Sequence, residues 1–274
     1  MGCLKTMLEK TSLIKTVGLW VSALVAACLL QSCVTTTTGG FTVDSTPREQ
    51  LEDYIRLASA YYEANDMSRA RVHINNALAI DRRSSGAYTV QALVLQQEGD
   101  LELAEQNFRQ AISYDGSNSR ARNNYAAMLF SQARYEEAFD QLATVSSDTT
   151  YEGRDIAFEN LGRSAMRLSR YGEAETAFER ALQLNGNLYL SALQLAQIRI
   201  YGENWEAARS SYQRYLTTSQ FYNIPHSPQS LWVGIQLEKH FRNDEELENY
   251  ALMLRTLFAD SAEYQMYNRL VNDN

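Results

Sequence analysis

Proline and glycine are scarce in this 274-residue chain, at three and 13 residues, and the scarcity excludes a many-turned sandwich or barrel, whose tight turns use them at frequent intervals. Histidine is as rare as proline. His73, His226 and His240 stand too far apart in the repeat map set out below to share a metal or to form a nucleophile–base pair. All three cysteines, Cys3, Cys28 and Cys33, precede the body of the chain, which therefore has no thiol for a disulfide, for catalysis or for a thiolate metal site. No phosphate-binding loop, Gly-x-Ser-x-Gly elbow or His-Glu-x-x-His motif occurs, and the paired carboxylates read as solvated helix faces. These gaps argue against an enzyme; no cofactor, metal or small-molecule substrate is expected, and an unrecognised catalytic site is the weakest of the readings kept open. Positive charge is also short. With 25 basic and 33 acidic side chains, a net charge of −8 and a pI near 5.1, the chain offers no cationic surface to displace counterions from nucleic-acid phosphates. What is present, 45% hydrophobic and 21% charged residues, suffices for one or two cores and points to a helical chain.

The N-terminal segment differs in kind. Lys5, Lys10 and Lys15 precede an uncharged apolar run from Thr16 to Leu30, the pattern of a secretory signal peptide over residues 1–32. As a helix the run would span about 22 Å, short of the ~30 Å hydrocarbon core, so a permanent membrane span is the weaker reading. Leu30-Gln31-Ser32-Cys33 then resembles the lipobox of bacterial lipoproteins, in which cleavage leaves the cysteine first and its thiol carries a diacylglyceryl thioether. Cys33 is thus the expected lipidation site, and two or more acyl chains give stable anchoring. Val34 follows it where an Asp would signal retention in the inner membrane, which directs the expectation to the periplasmic face of the outer membrane. Residues 33–48, rich in Thr and Gly, read as a lipidated tether with a reach of about 20 Å. Without the leader the charge becomes −10, with 21 of the 22 remaining basic residues arginine and Lys239 the exception.

From residue 49 to 274 a period of about 34 residues takes over. Ala70, Ala104, Ala138, Ala174 and Ala208 are each followed at +4 by a large side chain (Ile74, Phe108, Leu142, Phe178, Tyr212) and at +7 by Ala77, Ala111, Val145, Ala181 and Tyr215. Those offsets share one helix face. Twelve residues before each alanine stands a small residue, Ala58, Ala92, Ala126, Gly162 or Ala196, where a first helix can press closely on the second. This pattern resembles the tetratricopeptide repeat, and implies an all-α, right-handed superhelix of about six helix pairs with a C-terminal capping helix around Tyr264, Tyr267 and Leu270. Asp115-Gly116 and Asn185-Gly186 stand where the repeat family carries a proline. Arg199, at the position of Tyr61, Leu95 and Leu129, predicts a looser fifth repeat; Asn243 with Asp244, Glu245 and Glu246 predicts a helix start rather than a metal site.

Solenoids of this kind bind partners on the concave face, lined by the first helix of each pair. The repeat map puts Tyr62 and Glu63, Leu93, Gln96 and Gln97, Arg120, Asn123, Phe130 and Ser131, Glu159, Arg163, Met166 and Arg167, and Gln197, Ile200 and Tyr201 there. Tyr62, Asn123, Phe130, Arg163, Arg167 and Tyr201 are the candidate partner-binding residues, with packing between helices the alternative for each. Two segments break the period, Ser146 to Gly153 and Thr217 to Gln229. Aromatics in the second of them, Phe221 and Tyr222 beside Pro225 and His226, could either contact partners or fold back.

Several stretches stand in the same order as in the pilotins of the PilF/PilW family, the lipoproteins of type IV pilus biogenesis. These are Asn123-Asn124-Tyr125, Arg134-Tyr135-Glu136-Glu137-Ala138, Phe158-Glu159-Asn160-Leu161-Gly162, Gly234-Ile235 and Ser261-Ala262-Glu263-Tyr264-Gln265. The resemblance implies a carrier that binds subunits of the pilus secretin and, through its lipid, brings them to the outer membrane for assembly. The alternative is a general envelope scaffold, such as an adaptor for peptidoglycan hydrolases.

Overall fold

The computed structural model describes residues 46–272, all of whose regular elements are α-helices. The leader, Cys33 and most of the expected tether lie outside the described residues. Six antiparallel pairs follow in order: α1 (Pro47–Glu63) with α2 (Met67–Ile80), α3 (Ser85–Glu98) with α4 (Leu101–Tyr114), and α5 (Ser119–Ser131) with α6 (Tyr135–Ser147). Then come α7 (Arg154–Arg167) with α8 (Tyr171–Leu184), α9 (Tyr189–Tyr201) with α10 (Trp205–Phe221), and α11 (Pro228–Phe241) with α12 (Asp244–Leu257). A last helix, α13 (Ala262–Asn272), leans on the sixth pair through the half-buried Tyr264, Tyr267 and Leu270.

The periodic residues form the interior. Every anchor alanine and its partners at +4 and +7 are no more than 3% exposed, and the small residues facing them on the first helices are buried as well. Gly162 shows why that position stays small: a Cβ there would lie 2.8 Å from Cε1 and Cζ of Phe178, well inside van der Waals contact. The ring of Phe178 occupies the space a side chain would need.

Two turn designs alternate along the stack. Within each pair the chain reverses through one left-handed residue: Asn65, Gly99, Ala133, Ser169, Glu203 and Arg242, with φ between 55° and 90°. The residue after it donates its N–H to the carbonyl five residues back, on Tyr61, Leu95, Leu129, Ala165, Arg199 and Glu238 respectively, at 2.8–3.0 Å. This is the Schellman closure, here with glycine at one of six positions. Between the first five pairs, an Asp or Asn ends the second helix in extended backbone, and its side chain accepts the N–H two residues on. Asp81 with Arg83, Asp115 with Ser117, Asp148 with Thr150 and Asn185 with Asn187 do so at 2.8–3.0 Å. These turns stop the helix as the family's proline would. After α10 the left-handed Asn223 precedes an Ile224 N–H that donates to the Ser219 carbonyl. First helices are capped by Ser84, Asn118 and Ser227, the last in a capping box with Ser230.

Two expectations need correction. The fifth pair is not loose: α9 buries eight of its residues, and Arg199 reaches Glu175 at 2.8 Å, Glu179 at 2.5 Å and Ser211 Oγ at 2.7 Å, tying α8, α9 and α10 together. The second irregular segment is shorter than expected, because α10 continues to Phe221. Phe221 and Tyr222 remain outside, ring to ring at 4.9 Å, whereas His226 turns inward toward Tyr215 and Tyr250 with Nδ1 3.2 Å from Ser230 Oγ, and burial lowers its pKa. Asn243 does precede α12, yet its amide donates to Glu238 at 2.8 Å rather than capping the helix.

Candidate functional site

The groove of the solenoid holds a central cleft of about 360 Å³ whose walls come from four successive first helices. Phe130 projects from α5, Arg163, Met166 and Arg167 from α7, Gln194 from α9 and Gln229 from the start of α11. Arg163 and Arg167 are four residues apart on α7 and so lie one above the other. Each guanidinium covers an aromatic ring: Arg163 sits 4.8 Å from the centroid of Phe130, and Arg167 sits 5.8 Å from that of Tyr135. The two rings meet edge to face at 5.1 Å. A guanidinium laid on a ring keeps its in-plane N–H edge for other partners, so cation–π stacking orients both arginines without using their donors. Gln194 and Gln229 face each other with reciprocal amide contacts of 3.5 Å, long for a hydrogen bond.

The structure therefore brings Phe130, Arg163 and Arg167 together and leaves the other three candidates elsewhere. Tyr62 is half-buried against the first core cluster. Asn123 is half-buried too, and its Oδ1 has no hydrogen-bond partner among the described residues. Tyr201 is 60% exposed and packs on Tyr171 at 5.9 Å, away from the cleft. Three further residues of the expected concave face are interior: Gln197 and Ile200 are buried, as is Glu159, which accepts a hydrogen bond from Ser191 Oγ at 2.7 Å. Gln194 and Gln229, which line the cleft, carry no periodic signal; the position of α11 over α9 decides which turn of α9 faces the groove. A second hollow of about 520 Å³ joins Glu52, Ile55, Arg56, Ser59 and Glu63 of the first pair to Arg120 of α5.

Each histidine lies beside an aromatic ring in a different repeat: His73 on Tyr61 at 5.2 Å, His226 beside Tyr250 at 5.9 Å, and His240 on Trp205 at 4.1 Å. Among the described residues no three His, Cys, Asp or Glu side chains cluster as metal ligands, and no helix is long and apolar enough to cross a membrane. The most perturbed carboxylate, Glu105, is structural: Arg134 bonds it at 2.6 and 3.0 Å and, with Tyr125 and Arg109, holds its pKa down to about 2.

Tetratricopeptide-repeat family models match residues 89–146 and 156–188. The type IV pilus assembly protein PilF of Pseudomonas aeruginosa is 34% identical over 226 residues, which cover 80% of this chain and 86% of PilF. The chain belongs to the PilF family. Its fold agrees with a solved structure from a functional characterisation of P. aeruginosa PilF, at a TM-score of 0.73 and 33% identity over 81% of this chain and 98% of that one. The crystal structure of PilW, described as a widely conserved type IV pilus biogenesis factor, matches at a TM-score of 0.63 and 23% identity, covering 79% and 97% of the two chains. This is therefore a tetratricopeptide-repeat protein related to type IV pilus biogenesis factors, a family of protein-interaction scaffolds.

Proposed function

We propose that the protein is a lipid-anchored pilotin that binds secretin subunits in its groove and promotes their assembly at the outer membrane. The observation that carries this reading is the family relationship over four-fifths of the chain, joined to the lipobox at Leu30-Gln31-Ser32-Cys33. The cleft adds a surface suited to it: oriented aromatic and arginine side chains are the residue types that anchor protein interfaces. A lipid on Cys33 would confine the groove to a membrane surface and raise the effective concentration of a bound subunit there, so that a modest affinity biases where assembly starts.

The test has two arms. Cys33→Ser should abolish incorporation of radiolabelled palmitate and move the protein out of the membrane fraction; unchanged labelling would refute the anchor. Affinity capture of the wild-type protein from detergent-solubilised envelopes should return the secretin, with fewer assembled secretin rings and reduced twitching motility in the Cys33→Ser strain. Capture of cell-wall hydrolases in place of the secretin would establish the envelope-scaffold reading instead.

A further inference from the structure

We infer that the central cleft is a receptor for a carboxylate carried on an extended peptide segment of the partner, an inference that rests on the groove being the binding surface. In a chain of 33 acidic and 25 basic side chains carboxylates outnumber cations, so a cleft lined by arginines with no carboxylate runs against the overall composition. Four other surface hollows have carboxylates as well as arginines among their lining side chains: Glu137 and Asp140 with Arg109, Glu179 with Arg199 and Arg214, Glu248 with Arg255, and Glu52 and Glu63 with Arg56 and Arg120. The central cleft has two arginines and no acidic residue among its lining side chains. Among the described residues neither Arg163 nor Arg167 makes an ion pair, although eight other arginines do.

Geometry agrees with charge. Phe130 and Tyr135 lie beneath the two guanidiniums, and the one side-chain hydrogen bond of Arg163, to Asn160 Oδ1, is 3.3 Å long, so most of its N–H donors remain unsatisfied by protein. Two guanidiniums one helical turn apart present a row of donors matched to carboxylate oxygens. Phe130 and Met166 add an apolar floor for the side chain next to the acid. The Gln194–Gln229 contacts, at 3.5 Å, are stretched amide pairs that a passing peptide N–H and C=O can replace with shorter bonds. The cleft thus reads an acidic residue, an apolar neighbour and a stretch of backbone.

The experiment uses the folded body without its lipid and overlapping 15-residue peptides covering the secretin, acetylated and amidated at their ends, with binding read by fluorescence anisotropy. A generic acidic peptide, acetyl-Gly-Ser-Glu-Leu-Glu-Ser-Gly-amide, is measured beside them, as is a form with Gln for Glu and a free C-terminus, which reports whether a chain-end carboxylate serves as well. The expected result is that binding secretin peptides contain Asp or Glu and weaken at least tenfold when those become Asn or Gln. The double variant Arg163→Gln, Arg167→Gln should lose the same factor while its circular dichroism spectrum and melting temperature stay those of the wild type. Arg167→Glu should in turn favour a Lys-substituted form of the best peptide. Secretin peptides that bind equally well after neutralisation overturn the carboxylate receptor and leave the secretin reading intact. If no secretin peptide binds but the generic acidic peptide does, the receptor stands and the secretin reading falls; if neither binds, both fall.

Discussion

The second helix of each pair and the first helix of each pair follow opposite rules. The face of α4, α6, α8 and α10 that carries the repeated alanines packs against a small residue of the preceding helix in every repeat, and its residues at the anchor, +4 and +7 are uniformly buried. The groove face of α3, α5, α7 and α9 meets a different environment in each repeat: Asn123 and Gln197 turn inward, while Arg163 and Arg167 stay exposed. Periodic surroundings impose a periodic sequence. The groove, where neighbours differ, is free to carry recognition.

If that contrast is right, substitutions at the repeated crossing should be the most damaging. Gly162→Leu drives a side chain into the space held by Phe178, and is expected to destabilise by about 3 kcal/mol, read from the denaturant midpoint. Trimming the ring as well, in Gly162→Ala with Phe178→Leu, should recover part of the loss suffered by Gly162→Ala alone; strict additivity would place the two residues apart.

Glu105 sharpens the contrast through pH. Its folded-state pKa of about 2 lies below the ordinary 4.5, so its contribution is complete above pH 4.5 and disappears as pH falls toward 2. Glu105→Gln should therefore destabilise by on the order of 2 kcal/mol at pH 7 and flatten the dependence of the melting temperature on pH between 5 and 2. A variant whose profile keeps the wild-type slope would show that the Arg134 contact does not outlast solution averaging.

Smaller, and opposite in sign, is the turn within the third pair. Ala133 holds φ at 60°, where a Cβ is strained, and Ala133→Gly should stabilise by about 0.5 kcal/mol once glycine's greater freedom in the unfolded chain is set against the relief. Smallest of all in stability is the groove: Phe130→Ala with Arg167→Ala should shift the melting temperature by no more than a degree or two while weakening secretin capture. If Tyr62→Ala abolishes capture and the double variant does not, the partner occupies the N-terminal hollow instead.

How far the sequence could be read follows the same division. Five anchor alanines with their +4 and +7 partners specify the pairing of the first ten helices, because one buried face is repeated. Arg199 misled, since a charged residue at an apolar position looks like a defect until Glu175 and Glu179 are seen beside it. The cleft was half legible. Phe130, Arg163 and Arg167 follow from the repeat register, but Gln194 and Gln229 enter it only because α11 crosses α9 where it does, a long-range fact that no local spacing encodes.

The last helix has a consequence for how the molecule comes apart. None of the residues of α13 is buried, and Met266 and Val271 on it lie largely in water. In a stack where each unit is held by its neighbours, a terminal unit has one neighbour and little interior, so it opens alone and often. Amide exchange should therefore run as a gradient, fastest in α13 and slowest in the middle pairs. Proteases will trim the chain back from its C-terminal helix, and the shortened protein will still carry the cleft of α5, α7, α9 and α11.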